Sequence, residues 1–383
     1  MNRVTLAVAG SRKTQSIVDA CAGGAPGVRR LALTFTQTGQ AELNGRLQQA
    51  CAPGTSPEVM GWFTFLLRHC IRPYLPLRFP EQRLRGLNFD GEPVGGRYAK
   101  EAARFFDAEG RAYRLHLSKL AYDVSVASNG AVVDRLSHIY DDIYIDEVQD
   151  LTGCDLHIVE QLMKAPGIDV HMVGDVRQSV FDTNPQDPNL RKFRGVKMLD
   201  WFELHRASGL LDVHHNQETW RANQAIADFS DALFPSEFCF EPTTSKQTEI
   251  TGHDGVFAIA EADMTLYMSQ FNPQALRDRI TTANDVELSF RNFGTVKGLT
   301  FDRVIIYPTK SITAFLTKGT KLKPKTACGL YVAVTRAKHS VAFVVPSPAA
   351  TGLTSWSASH SDDGVADEVS GRGAALPPEP SHK

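Results

Sequence analysis

A chain of 383 residues, 42% hydrophobic and 22% charged, can bury a sizeable core and reads as two domains with small insertions. A formal net charge of -2 excludes a uniformly basic nucleic-acid-coating protein but leaves room for a local cationic groove. Six cysteines (Cys21, Cys51, Cys70, Cys154, Cys239 and Cys328) lack metal-type pairing, and neither a signal peptide nor a membrane-spanning run is visible, so we expect a cytoplasmic protein with free thiols, no zinc site and no membrane partner.

Val4 to Ala9 reads as a strand, Ala9-Gly10-Ser11-Arg12-Lys13-Thr14 as a tight loop, and Thr14 to Ala22 as the helix it opens. Strand, loop and helix stand in P-loop order, a design that wraps phosphates in backbone N–H groups, brings a lysine (Lys13) to them and sets a hydroxyl (Thr14) on Mg²⁺. Arg12 stands where the pattern has its second glycine and Ala7 where it has its first, so the loop taken alone reads equally as a plain helix N-terminus. A second strand at Arg30 to Thr34 runs through Phe35-Thr36 into a helix ending near Cys51, and a further helix begins around Trp62 to Arg68. From Pro73 to about Gly130 the pattern loosens into a mostly helical insertion.

Ile143-Tyr-Ile-Asp146-Glu147-Val-Gln-Asp150 has the β-branched and aromatic run of a buried parallel strand, which delivers its last residues to a ligand crevice. Its two adjacent carboxylates suit a metal-bound nucleotide; an acidic cap for the next helix is the competing reading. Ile168 to Val173 is the next strand, followed by a polar cluster from Gly174 to Phe181. Thr219 to Leu233 has helical spacing, with Arg221 near its start and Pro235 closing it. Strands at Gly255 to Ala260 and Arg303 to Tyr307, with a helix at Met264 to Phe271 between them, predict a second α/β domain. Thr309 to Thr326 reads as a lysine-rich loop, Leu330 to Lys338 as a helix and Ser340 to Val345 as a strand, while the Ser-, Ala-, Gly- and Pro-rich tail from 346 to 383 reads as disordered.

Taken in this order, the segments resemble the motif series of UvrD/Rep-like superfamily 1 helicases. The Lys13 loop resembles the first motif, Thr34-Phe35-Thr36 with Ala41-Glu42 and Arg46 the DNA-contacting segment, and Asp146-Glu147-Val148-Gln149 the Walker B form. Gly174-Asp175 with Gln178-Ser179 and Phe181 resembles the third motif, Trp220-Arg221 with Ile226 the fourth, Lys297-Gly298-Leu299 with Phe301 the fifth, and Tyr331 to Lys338 the sixth. The resemblance implies an α/β fold of two RecA-like P-loop domains, the first over 1–210, the second over 211–345. It implies ATP and Mg²⁺ as cofactors: Ala9, Gly10, Ser11, Arg12, Lys13, Thr14, Gln178, Arg221, Gly298 and Arg336 would bind the nucleotide, with Thr14 and Asp146 on the metal. Catalysis would fall to Lys13, Glu147 as base, Gln178 as γ-phosphate sensor, and Arg221 and Arg336 as charge stabilisers.

Thr34, Phe35, Thr36, Phe65 and Phe181 are the candidates for contact with single-stranded DNA or tailed duplex; a core position is the competing reading for Phe35 and Phe65. Thr300 stands where the family usually has a glutamate and Gly294 where it has a histidine, and with only a few residues before the first strand we expect no upstream adenine-reading glutamine motif. Arg221 to Gly294 is also too short for a large accessory domain, so the chain resembles compact members, including helicase-like subunits of phage-defence systems that work beside a protein partner such as a nuclease. Three functions follow: a 3′ to 5′ single-stranded DNA translocase or helicase, a DNA-stimulated ATPase subunit that does not unwind, or a degenerate DNA-binding module.

Overall fold

The computed structural model describes residues 1–52 and 54–358. The first half of the chain contributes β1 (Arg3–Ala7), β2 (Arg30–Thr34), β3 (Glu58–Gly61), β4 (Gly86–Asn88), β5 (Arg111–Tyr113), β6 (Asp142–Ile145), β7 (Asp169–Gly174) and β8 (Asp212–Asn216). Six of these form an all-parallel sheet in the order β3-β2-β6-β7-β1-β8. Side chains alternate between its faces: Ala32, Tyr144 and Val173 pack under the helices Lys13–Ala22 and Gln37–Ala50, while Leu31, Leu33, Ile143 and Ile145 join the core that contains the helices Leu117–Ala127 and Cys154–Met163. Both faces are therefore apolar, which is why these strands read as short hydrophobic runs.

The second half adds β9 (Glu218–Thr219), β10 (Thr244–Ser245), β11 (Gly255–Ile259), β12 (Gln274–Arg277), β13 (Arg291–Asn292), β14 (Phe301–Tyr307), β15 (Ala337–Val344) and β16 (Thr354–Trp356). Apart from the short β9–β10 pair they form a second parallel sheet, β13-β12-β14-β15-β11-β16. The chain is an α/β protein built on two six-stranded parallel sheets.

Several sequence expectations are corrected. β8 belongs to the first sheet, beside β1, so that sheet runs past residue 210 to Asn216. The helix expected around Trp62 is present, and it runs on to Ile71 as a π-helix over Leu66–Ile71. The helix expected from Thr219 starts only at Gln224, capped by the Asn223 side chain, which leaves Arg221 in the preceding loop. Lys310–Lys318 is a helix rather than a loop, because Ile312 and Leu316, one turn apart, are both buried. The helix expected over Leu330 to Lys338 spans Pro324–Val334, putting Arg336 in the turn before β15. Residues 346–358 of the supposed tail are ordered: β16 pairs with β11, and Trp356 packs on Tyr267 at 5.0 Å and Phe271 at 5.9 Å. The rest of that tail lies outside the described residues.

Strand order makes β6, β7 and β1 neighbours, so the segments after their carboxyl ends, at 146–150, 175–178 and 8–12, converge at one edge of the first sheet. The second unit meets this edge with the amino ends of β14 and β15, which are tied where the Phe301 amide donates to the Arg336 carbonyl at 2.9 Å.

Beneath the edge, Asp155 is fully buried and accepts from Trp62 Nε1 (2.7 Å), Thr183 Oγ1 (2.6 Å), Asn184 Nδ2 (2.6 Å) and the Ser118 hydroxyl. Burial raises its pKa from 3.8 to about 6. The folded chain thus holds a proton there that the unfolded chain has released, and the stability from this group falls as pH rises from 3.8 through about 6. Asp155→Ala strands buried donors and should cost at least about 3 kcal/mol in urea unfolding. It should also flatten the stability profile across that pH window.

Candidate functional site

The loop after β1 is shaped to approach an anion closely. Gly10 has φ +78°, and a Cβ on it would lie 2.6 Å from Thr219 Oγ1 and 2.7 Å from Arg221 Cβ, so this position admits only glycine while the second unit is in contact. That contact is hydrogen-bonded: Thr219 Oγ1 donates to the Ala9 carbonyl at 2.8 Å and the Trp220 amide to the Gly10 carbonyl at 3.0 Å. Arg12 caps the helix Lys13–Ala22 in a left-handed conformation (φ 63°, ψ 35°), the backbone a glycine would take, and turns its guanidinium outward onto Trp220, 4.0 Å from the ring centroid. The arginine is accommodated by facing away from the loop interior. Ser11 Oγ is buried without a hydrogen-bond partner, and the first turn of the helix holds no acidic residue, both fitting a cradle open to phosphate oxygens. Lys13 Nζ meanwhile donates to the carbonyls of Val8 (3.2 Å) and Ala7 (3.3 Å).

The carboxylates of the Asp146-Glu147 pair face that loop. Asp146 Oδ2 accepts from Thr14 Oγ1 at 3.0 Å, and its Oδ1 accepts the Glu147 amide at 2.9 Å. Burial and then the Glu147 charge push its pKa up, the signature of a carboxylate short of positive charge. Glu147 is held in the left-handed region (φ 54°, ψ 42°). Its Oε2 takes both Gln149 Nε2 and, at 3.3 Å, Lys297 Nζ. Burial works to raise the Glu147 pKa, but Lys297 and Lys13 outweigh it and the net shift is downward. Gln149 in turn accepts the Asp175 amide at 3.0 Å, a path left clear because β7 ends in Gly174, where a Cβ would collide with Gln149 Oε1.

The opposite wall comes from the second unit. Arg336 is fully buried in the turn before β15, donating through Nε to the Val332 carbonyl (3.0 Å) and through Nη2 to Gln178 Oε1 (3.1 Å). Gln178 Nε2 donates to Asp175 Oδ2 at 3.0 Å, and the Tyr331 hydroxyl donates to the same oxygen at 2.9 Å while accepting the Ala9 amide at 3.1 Å. Arg221 Nη1 rests on the Thr335 carbonyl at 3.2 Å. Burial, and then the neighbouring charge of Arg221, lowers the Arg336 pKa to about 9; burial lowers those of Arg221 and Lys13 as well. Arg336, fully buried, and Lys13 and Arg221, partly buried, thus bring cations from both units together with burial disfavouring their charged forms, an arrangement that an anion between them would relieve.

No protein-family model matches the chain. A stretch of 109 residues, 28% of the chain, is 23% identical to an ATP-dependent helicase/nuclease subunit of Oenococcus oeni, and one of 104 residues, 27% of the chain, is 31% identical to the protein of the same name from Levilactobacillus brevis. Each match spans 8% of the relative's own length. Among solved structures, Arterivirus nonstructural protein 10 (helicase) aligns with 92% of this chain and 62% of its own, at 16% identity and a TM-score of 0.45. Its complex with DNA gives 15% identity and a TM-score of 0.46, covering 92% of this chain and 63% of that one.

The residues singled out in the sequence gather in one cleft, with exceptions. Lys13, Thr14, Asp146, Glu147, Gln178, Arg221 and Arg336 all line it, and Ala9, Gly10, Ser11 and Arg12 form its loop. Gly298 turns the chain after Lys297 (φ +87°) and is exposed. Phe65 is corrected to a core residue: it is 0% exposed, 5.4 Å from Trp62 and stacked on His69, with no face left for a ligand. Thr34 is buried at the end of β2, Phe35 is half-buried against Trp62, and exposed Thr36 caps the next helix through Gly39 N at 3.0 Å. Phe181, 49% exposed, is open to solvent beside the cleft.

Sequence reasoning assigned no role to Lys297, Asp150, Tyr331 or Thr219, which carry the contacts between units. The motifs contained them, but their partners lie 147 residues apart for Lys297 and Asp150, and 322 for Tyr331 and Ala9. If the cleft is an anion site, inorganic pyrophosphate should raise the melting midpoint in a concentration-dependent way, by about 2.7 kcal/mol of stability at a hundred times its Kd. Lys13→Ala should lose most of that rise; a midpoint indifferent to pyrophosphate in the unaltered chain would sink the assignment.

Proposed function

We propose that the chain is an ATP hydrolase that uses the cleft between its two parallel-sheet units to move along, or unwind, nucleic acid, with single-stranded DNA as the track and a 3′ to 5′ direction. The observation that carries this reading is the division of the cleft. The loop, the Thr14–Asp146 pair and Glu147 come from one unit, and Arg221 and Arg336 from the other, so full charge complementarity around a triphosphate requires both. The local similarity to helicase/nuclease subunits points the same way and is the ground for proposing a nuclease partner.

In this mechanism the loop amides, Ser11 Oγ and Lys13 Nζ bind the β- and γ-phosphates at the helix N-terminus. Thr14 and Asp146, adjacent hard oxygen donors with the carboxylate short of countercharge, fit Mg²⁺, which when bound neutralises phosphate oxygens. Glu147 Oε2 is taken up by Gln149 and Lys297, leaving Oε1 to orient the attacking water and accept its proton. Arg221 and Arg336 stabilise the charge that develops on the transferred phosphoryl group, and Gln178 steers Arg336 through its 3.1 Å hydrogen bond. Phe181, Phe35 and Thr36 lie beyond the carboxyl ends of the first sheet and offer partly exposed surfaces for a strand; stacking there contributes about 1–3 kcal/mol per base with little sequence preference. Phe65 and Thr34 support that surface from beneath.

ATP turnover with and without single-stranded DNA, beside strand displacement on a 3′-tailed duplex, tests this. Glu147→Gln should keep ATP affinity and lose about 10²- to 10⁴-fold in turnover. Arg336→Ala should lose on the order of 10³-fold with affinity much less changed. Stimulated turnover without displacement would assign a DNA-responsive ATPase that does not unwind, and no turnover in the unaltered chain would leave only a binding module.

A further inference from the structure

One contact in the cleft joins the candidate base to the candidate strand surface. Lys297 Nζ reaches from the second unit to Asp150, 2.7 Å from Oδ2 and 2.9 Å from Oδ1, and to Glu147 Oε2 at 3.3 Å. The same ammonium stands 5.7 Å from the ring centroid of Phe181, and that ring's edge lies 3.8 Å from where a Cβ on Gly294 would be. Lys297 is 9% exposed and stands on a short turn fixed in the second unit's core by Phe293 and Val296, which are 2% and 0% exposed. It therefore travels with that unit, whereas Glu147, Asp150 and Phe181 belong to the first.

We propose that Lys297 is a positioning residue for hydrolysis: it fixes one oxygen of Glu147, leaves the other for water, and makes that hold depend on the seating of Phe181 and hence on a bound strand. The proposal rests on the functional reading above and adds its regulation. The geometry leads to this in three steps. Glu147 sits in a left-handed backbone conformation that a residue with a Cβ adopts only at a cost, so its carboxylate needs external ties to stay aimed. Lys297 and Gln149 both bind Oε2, which leaves Oε1 outside both ties. The ammonium is shared among Asp150, Glu147 and the Phe181 face, so any shift of the ring relative to Gly294 redistributes it. A base stacked on the open side of Phe181 would press the ring onto Lys297 and keep the two units in register, coupling strand occupancy to the aim of Glu147.

The test is a double-mutant cycle in the full chain, measuring ATP turnover with and without an oligothymidine strand, and binding of a fluorescent non-hydrolysable ATP analogue. Lys297→Met should lower strand-saturated turnover roughly ten-fold or more while analogue affinity stays within about two-fold, and Lys297→Arg should recover most of it. Phe181→Ala should reduce strand stimulation when Lys297 is intact and add little in the Lys297→Met background. If melting shows that the methionine variant is misfolded, Lys297→Gln, which keeps a donor but no charge, takes its place in the cycle. Additive losses, or wild-type turnover without the lysine, overturn the coupling while leaving the ATPase reading intact. A wild-type chain that binds the analogue but never turns over overturns both.

Discussion

Arg336 is buried, and Lys13 and Arg221 are partly buried, where the two units meet, and burial holds each of them below its ordinary pKa. Solvent that would have stabilised these cations is replaced by backbone carbonyl oxygens and, for Arg336, the side chain of Gln178. Such an arrangement is costly without an anion, and on the proposed function a bound triphosphate would offset that cost and tie the two units together. The remaining features of the edge serve this exchange: Asp175 collects Tyr331 and Gln178, and Lys297 spans Glu147 and Asp150.

Backbone strain sits at the same place. Arg12, in the loop after β1, and Glu147, after β6, both take left-handed conformations. Neither is glycine, so each costs about 1–2 kcal/mol and must be held by its surroundings. Arg12 is held by stacking on Trp220, and Glu147 by Lys297 and Gln149. In both cases a tie comes from the second unit, so separating the units would slacken the residues whose aim matters most.

Much of this was legible in the residues. Buried strands that end in charged or polar residues announce themselves by composition, and their order in the chain is enough to put Lys13, Asp146 and Gln178 just beyond strand ends. What escaped was set by tertiary packing. Phe65, in an apolar run that allowed either reading, is core, while Phe181, set in a polar cluster, is open. The segment Lys310–Lys318 hid two buried residues among lysines that suggested a loop, a helical spacing that could have been read. Arg221 was expected within a helix because Thr219 to Leu233 has helical periodicity, but Asn223 starts that helix later by capping it. The pairing of Lys297 with Asp150 bridges segments that no periodicity connects.

The strand β16 has a consequence for the outer margin of the second sheet. Only three residues long and backed by Trp356, it lies along β11 and leaves little ladder for another chain to extend. Without it, β11 would present its backbone donors and acceptors along Gly255–Ile259, an apolar row suited to edge-to-edge assembly. The segment around Thr354–Trp356 thus keeps the sheet from serving as a template for self-association.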